Sequence, residues 1–292
     1  MEIEVGRMNR LRVDREVDFG VYLTPIDSPS TAADDTEESK KLEGILLPGR
    51  YVPEGLEIDD EIAVFVYADS EDRLLATTET PKAMAGEAAF LRVVAVNRTG
   101  TFLDWGLPKD LMLPYGEQKR ELEPGQFCTV FVYKDKYSDR VVASTRLNRH
   151  IGLTTAHYKP GQQVDIMVVA RTDLGHKVIV NNEHWGLLYE NEIFKPLRNG
   201  MHTTAWVKKV VNDDKVDLTL SPPITQRFST VADQVLKAIE ANDGFLPLND
   251  KSSPEAIRRR FGISKRDFKA AVGKLYKLRM ITIKADGLYI KE

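Results

Sequence analysis

The chain has one cysteine in 292 residues, Cys128, so no disulfide can close within it and no thiolate pair can hold zinc. Cys128 sits in the apolar run FCTVFVY, where a buried strand thiol is expected. Histidine is sparse too. His150, His157, His176, His184 and His202 stand apart with no HExxH pairing, and there is no GxxxxGK[ST] phosphate loop. The acidic groups Asp34-Asp35 and Asp59-Asp60-Glu61 fall in turn-like or low-complexity contexts. These absences point away from thiol, zinc and nucleotide-hydrolysing enzymes and lead to the expectation of a protein that is not an enzyme and needs no cofactor or metal. The enzymatic reading they leave is a nuclease that gathers carboxylates for Mg²⁺ from distant segments. No apolar run approaches the roughly 18 residues of a membrane span. The N-terminus, MEIEVGRMNRLRVD, is charged where a secretion signal is apolar, so a cytoplasmic location with no membrane partner is expected.

What the chain does have is an ordinary globular composition, 42% hydrophobic and 29% charged, with an uneven distribution of charge. The total is only -3, but residues 1–80 carry 8 basic against 20 acidic side chains. Residues 81–225 carry 19 against 16, and residues 226–292 carry 14 against 8. A polyanion is therefore repelled by the first segment and drawn to the later ones, whatever the fold.

Internal similarity organises the first three-quarters of the chain. LEIDDEIAVFVYADSEDRLLATTE at 56–79, LEPGQFCTVFVYKDKYSDRVVASTR at 122–146 and LRNGMHTTAWVKKVVNDDKVDLTLS at 197–221 share a leucine, a turn, an apolar strand, a polar hairpin and a second strand. Upstream of each lies a further matched pair: DFGVYL with EGILLP, TGTFLDW with DLMLPY, and LGHKVIV with WGLLYE. Five short strands per unit, with Gly20, Gly100 and Gly175 at a bend, are what a small Greek-key barrel of the OB type needs. The Ser/Thr/Asp/Glu-rich stretch at 27–43 is expected to be a solvated loop inserted in the first unit.

The strand pattern stops at Pro222-Pro223 and a helical period begins. Val231, Val235, Leu236 and Ile239 form one apolar face after a cap at Ser229-Thr230. Ser253 and Pro254 open a second helix that Gly262 ends. Ser264 opens a third, with Phe268, Val272, Leu275 and Leu278 on one stripe, and ITIKADGLYIKE then alternates about Asp286-Gly287 as a hairpin. Three helices and a hairpin describe a winged helix. The expected organisation is mainly β with an α+β tail: an acidic first barrel at 1–80, a second at 81–150, a third at 151–223 and a winged helix at 224–292.

DFGVYL, GILLPGRYVPEGL, FLDWGLPKDLMLP and FGISKRDFKAAVGKLYKLRMI, in that order and spacing, resemble the bacterial conserved virulence factor B family over essentially the whole chain. That family is built of three ribosomal S-one-type domains and a winged helix. The resemblance implies RNA binding that acts on gene expression through transcript stability or translation, and no catalytic reaction. The S-one binding face carries F-G-x-F on its second strand and G-L-V-H on its third. The first repeat keeps both aromatics as Phe19 and Tyr22, with Leu47 read at the histidine position. The second keeps Phe102, with Leu113 at that position, and the third has Lys177 in place of the second aromatic and Tyr189 in place of the histidine.

Single-stranded RNA is held by stacking bases on aromatic rings while cations neutralise phosphates. The candidate contacts are Phe19, Tyr22, Phe102, Trp105, Trp185 and Tyr189, with Lys119, Arg120, Arg146, Arg149 and Lys208; Lys209, adjacent to Lys208, must face the other side of its strand. In the winged helix they are Arg258, Arg259, Arg260, Lys265, Arg266 and Lys269. The first barrel reads as a spacer, and the later barrels with the winged helix as a composite surface for single-stranded RNA. The ribosome or RNA-decay proteins are further expected partners. Two other classes fit the same residues: a protein-interaction adaptor docking on ribosome or nuclease, and a DNA-binding transcription regulator resting on the winged helix alone.

Overall fold

Alternating apolar residues close into three five-stranded barrels, which a computed structural model describes over residues 3–28, 44–69, 71, 73–193, 196–212, 215–222 and 224–291, with backbone alone for 224–230. The first barrel contains β1 (Met8–Val17), β2 (Gly20–Pro25), β3 (Ile45–Pro48), β4 (Glu61–Ala68) and β5 (Leu74–Thr77). The second contains β6 (Glu87–Val96), β7 (Gly100–Asp104), β8 (Leu111–Pro114), β9 (Phe127–Lys134) and β10 (Val141–Ser144). The third contains β11 (Gln163–Thr172), β12 (Gly175–Val180), β13 (His184–Tyr189), β14 (His202–Asn212) and β15 (Lys215–Thr219). Each has the same cyclic order, with the third strand parallel to the fifth and the first strand paired to both the second and the fourth. Most of the loop expected at 27–43, residues 29–43, lies outside the described residues.

One strand can serve two partners around a barrel only if it coils sharply, and a bulge supplies the bend. It falls at the same place three times, between Val13 and Arg15, Val93 and Ala95, and Val168 and Ala170. The glycine that follows is a requirement of close approach. A Cβ on Gly20 would stand 2.1 Å from the Leu47 carbonyl oxygen, and one on Gly175 2.0 Å from that of Leu188. Both glycines also hold positive φ, 151° and 145°, which other residues avoid.

The barrels are joined through apolar contacts. Phe65 and Tyr67 of β4 pack in one cluster with Trp105 and Leu107 of the second barrel. Phe131, Leu147 and Ile151 of the second meet Met167, Ile179 and Trp185 of the third. The Ala88 N–H also donates to Asn182 Oδ1 across that second junction at 3.0 Å.

The tail forms α1 (Ile224–Glu240), β16 (Phe245–Leu246), α2 (Pro254–Phe261), α3 (Lys265–Lys277), β17 (Ile281–Ile283) and β18 (Leu288–Ile290). Two details correct the sequence reading. α1 starts directly after the proline pair rather than at Ser229-Thr230, and the wing gains a third strand because Phe245 and Leu246 pair with Tyr289 and Leu288. The caps fall where expected: Ser253 Oγ accepts from Ala256 N–H, Ser264 Oγ from Asp267 N–H, and Gly262 is left-handed. Leu278 departs from the core stripe. The helix ends at Lys277, and Leu278 is 59% exposed.

Candidate nucleic-acid interface

The register sets one row of side chains across the outer face of each barrel, and the three rows correspond position by position. In the first, Arg15 pairs with Tyr22, Tyr22 with Leu46, Leu46 with Leu75, and Leu75 with Tyr67. The second runs Ala95, Phe102, Met112, Val142, Tyr133. The third runs Ala170, Lys177, Leu187, Asp217, Lys209. Past Arg15, aromatic and apolar groups fill the first row, as they do the second, and a Lys–Leu–Asp–Lys series follows Ala170 in the third.

This register corrects the assignment of the third-strand position. Leu47 and Leu113 point into their barrels and are fully buried, as is Leu188. Gly20 pairs with Pro48, Gly100 with Pro114 and Gly175 with Tyr189, so Pro48 and Pro114 are the true counterparts of Tyr189. A slip of one residue exchanges the two faces of a strand.

The candidate rings have separate fates. Phe19 is 59% exposed in the β1–β2 turn, and Tyr22 is half-buried with the Arg15 guanidinium 4.3 Å from its ring centre. Phe102 is half-buried on the outer row. Trp105 is buried where the first and second barrels meet. It is 2% exposed, meets Phe65 edge-on at 5.6 Å between ring centres, and donates from Nε1 to the Lys109 carbonyl. Trp185 is also buried, at 7%, packed at the junction of the second and third barrels, with Lys177 Nζ 3.5 Å from its ring centre. It nevertheless borders a groove of about 620 Å³ together with Lys177, Leu187, Tyr189, Asp217 and Asn148. Within that groove the Tyr189 hydroxyl donates to Asp217 Oδ1 at 3.2 Å.

The candidate cations gather in three places. Arg149 Nη1 lies 2.7 Å from Glu117 Oε1, Arg146 Nε donates to the Gly116 carbonyl at 2.8 Å, and Lys119 N–H donates to Thr145 Oγ1. Lys119 and Arg120 are exposed on the same connection. Lys208 is tied to Glu192 at 2.7 Å, a contact that lowers the Glu192 carboxyl and raises the lysine. Lys209 lies 3.6 Å from Asp217 on the outer row, and the register of β14 shifts between Val207 and Lys209, so Lys208 sits in a bulge where strict alternation of the two lysines is interrupted.

On the winged helix Arg258, Arg259 and Arg260 are all exposed, but successive residues point about 100° apart, so they do not share one face. On α3 the side opposite Phe268, Ala271, Val272 and Leu275 carries Arg266, Ala270, Gly273 and Lys277, with Lys269 beside them. Lys265 is half-buried and its Nζ reaches back to the Lys251 carbonyl at 3.5 Å.

Three groups escaped the sequence reading. Tyr137 is 99% exposed at the β9–β10 hairpin tip, Lys177 sits on Trp185, and Asp110 borders a second cavity. Tyr137 had a signal: an aromatic in the polar tip KDKYSDR has no core to enter. Cys128 is buried, and burial pushes its thiol up to about 11, which removes it as a nucleophile.

Family models agree with this architecture. The CvfB-like winged helix domain matches residues 233–290, and the S1 domain matches residues 5–79 and 85–146. The third barrel lies outside the matched residues. The uncharacterized protein YitL of Bacillus subtilis is 28% identical over 279 residues, 93% of this chain and 89% of its own length. Conserved virulence factor B of Staphylococcus saprophyticus is 27% identical over 246 residues, 81% and 82% of the two chains. A crystal structure of a multidomain protein with nucleic acid binding domains from Streptococcus pneumoniae is 23% identical and covers 98% of each chain with a TM-score of 0.38. S1 barrels and winged helices are domain types that bind nucleic acid and are typically not catalytic. No helix among the described residues is long and apolar enough to cross a membrane.

Proposed function

We propose, from this chain's membership of the conserved virulence factor B family, that it is a non-catalytic protein of the cytoplasm that binds single-stranded RNA and so regulates transcript stability or translation. The observation that carries the reading is the pair of corresponding outer rows. In the second barrel the row presents Phe102 and Met112 as a platform for a base. In the third it presents Lys177 and Lys209 for phosphate, with Tyr189 bordering the adjoining groove as a ring for a base. Arg149 and Arg146 lie beside the second row, Lys119 and Arg120 are exposed on the connection that follows β8, and α3 adds Arg266, Lys269 and Lys277. The first barrel, with its acidic excess and with Tyr67 buried against its neighbour, acts as a structural spacer.

Cutting at residue 80 would strip Phe65 and Tyr67 from Trp105, so the test belongs in the full chain. Affinity for single-stranded RNA, titrated against salt, should fall steeply as salt rises, because each neutralised phosphate releases a counterion. Phe102→Ala and Tyr189→Ala should each weaken binding by about 1–3 kcal/mol, the range for a lost stacking ring. Duplex DNA bound more tightly than single-stranded RNA would move the function to transcription. Absence of RNA binding at low salt would leave the adaptor reading, for which Tyr276, Leu278 and Met280, exposed at the end of α3, are the apolar contact surface.

A further inference from the structure

The outer row of the second barrel runs beside a pair of carboxylates that the sheet sets against each other. Phe102 pairs with Met112 and Leu103 with Leu111, so the next step of the same antiparallel register brings Asp104 level with Asp110. Like charges directly across a strand pair repel. The chain relieves one of them. Lys82 Nζ lies 2.8 Å from Asp104 Oδ2, and the Gly106 N–H donates to Asp104 Oδ1 at 3.1 Å. Asp110 is half-buried, and among the described residues no hydrogen bond or ion pair reaches its carboxylate. Burial first, and then the charge of Asp104, push its carboxyl above the ordinary range.

A half-buried acceptor without a donor is costly unless something supplies one. Asp110 borders a cavity of about 280 Å³ between the first and second barrels, walled by Phe102, Tyr67, Trp105, Met112 and Val142. That is near the roughly 300 Å³ at the small end of ligand pockets, room for one flat ring system. Lys109, also on the wall, holds the Ala68 carbonyl of the first barrel at 2.7 Å and so fixes the two sides of the cavity. An ionised carboxylate accepts only, through two oxygens side by side, so the best-matched ligand offers two parallel donors beside an aromatic face. Among the four RNA bases, guanine presents adjacent N1–H and N2–H donors on one edge. Adenine and cytosine present one amino group there, and uracil one imino group.

Resting on the RNA-binding reading above, we propose that this cavity is a guanine-selective subsite, in which the base stacks on Phe102 and its N1–H and N2–H donate to the two oxygens of Asp110. The first barrel then contributes Tyr67 and Ala68 to the wall of a base pocket although its own row makes no phosphate contact.

The test compares the full chain with Asp110→Asn and Asp110→Ala on three short RNA strands: adenine throughout, the same strand with central guanines, and the same with inosine, which lacks the N2 amino group. The guanine strand should bind at least about tenfold more tightly than the adenine strand, the worth of a charge-assisted hydrogen bond, with inosine between them. Both substitutions should erase the differences without lowering adenine-strand affinity or the melting temperature, since Asp110 has no partner to lose among the described residues and its charge is opposed by burial and by Asp104. Equal binding of all three strands by the unaltered chain overturns the subsite, as does a guanine preference that survives both substitutions. Failure to bind any of the three strands at low salt overturns the RNA reading itself.

Discussion

A tyrosine ring left in water contributes no packing, and Tyr137 stands 99% exposed on a turn that is nonetheless well bonded. Asp135 Oδ2 accepts from the Ser138 N–H and hydroxyl, the Asp139 N–H donates to the Asp135 carbonyl, and Lys134 pairs with Asp139 at 2.8 Å. The ring is held out on an ordered tip, as a base-stacking finger would be. Tyr137→Ala should weaken single-stranded RNA binding by about 1–3 kcal/mol, and Tyr137→Phe should keep most of the affinity. Titration alongside a thermal melt checks both, and an unchanged affinity with the alanine would make the ring a bystander. Residue type was legible in the sequence, and direction often was not. Trp105 and Phe102 lie three residues apart in one strand-and-turn segment, yet the first packs against Phe65 of another barrel and the second faces outward. The contact that buries Trp105 is forty residues away in the chain, beyond any local pattern.

At the scale of the element, composition and period found the strands, the caps of α2 and α3, and the bends at Gly20 and Gly175. The register of the four-residue β3 and β8 was out of reach, because ILLP and LMLP are apolar throughout and alternation cannot say which leucine faces in. Junctions between elements were equally hidden. At the second one, the His150 ring stacks on Phe131 at 4.8 Å and lies 4.7 Å from Tyr133. Burial lowers its pKa, against a smaller opposing pull from Glu117, and Arg149 lowers it further. The unfolded chain then binds more protons than the native one between the folded value and the ordinary histidine value of about 6.5. Stability should be fully present above about 6.5 and fall as pH drops through that window. Melting curves at several pH values should show the native chain losing more stability in acid than His150→Gln, and parallel losses would remove His150 from the cause.

The whole molecule carries an acidic excess at one end and a basic excess at the other, and a long-range field of this kind acts on encounter more than on the final contacts. Residues 1–80 hold 20 acidic side chains against 8 basic ones, and Asp34, Asp35, Glu37 and Glu38 fall in the Ser/Thr/Asp/Glu-rich stretch of the sequence that lies outside the described residues. Replacing those four by Asn and Gln removes negative charge and alters no residue of the described barrel core or outer rows. If the acidic end repels RNA from the later domains, the substituted chain should associate with single-stranded RNA faster at low ionic strength, with little change in dissociation. The advantage should vanish in about 0.5 M salt, where the screening length is only a few ångströms. Stopped-flow association rates across a salt series measure this directly. Equal rates at every ionic strength would mean that RNA approaches along a path the acidic end does not overlook. A slower rate would assign the insertion a part in binding and return the first barrel from spacer to participant.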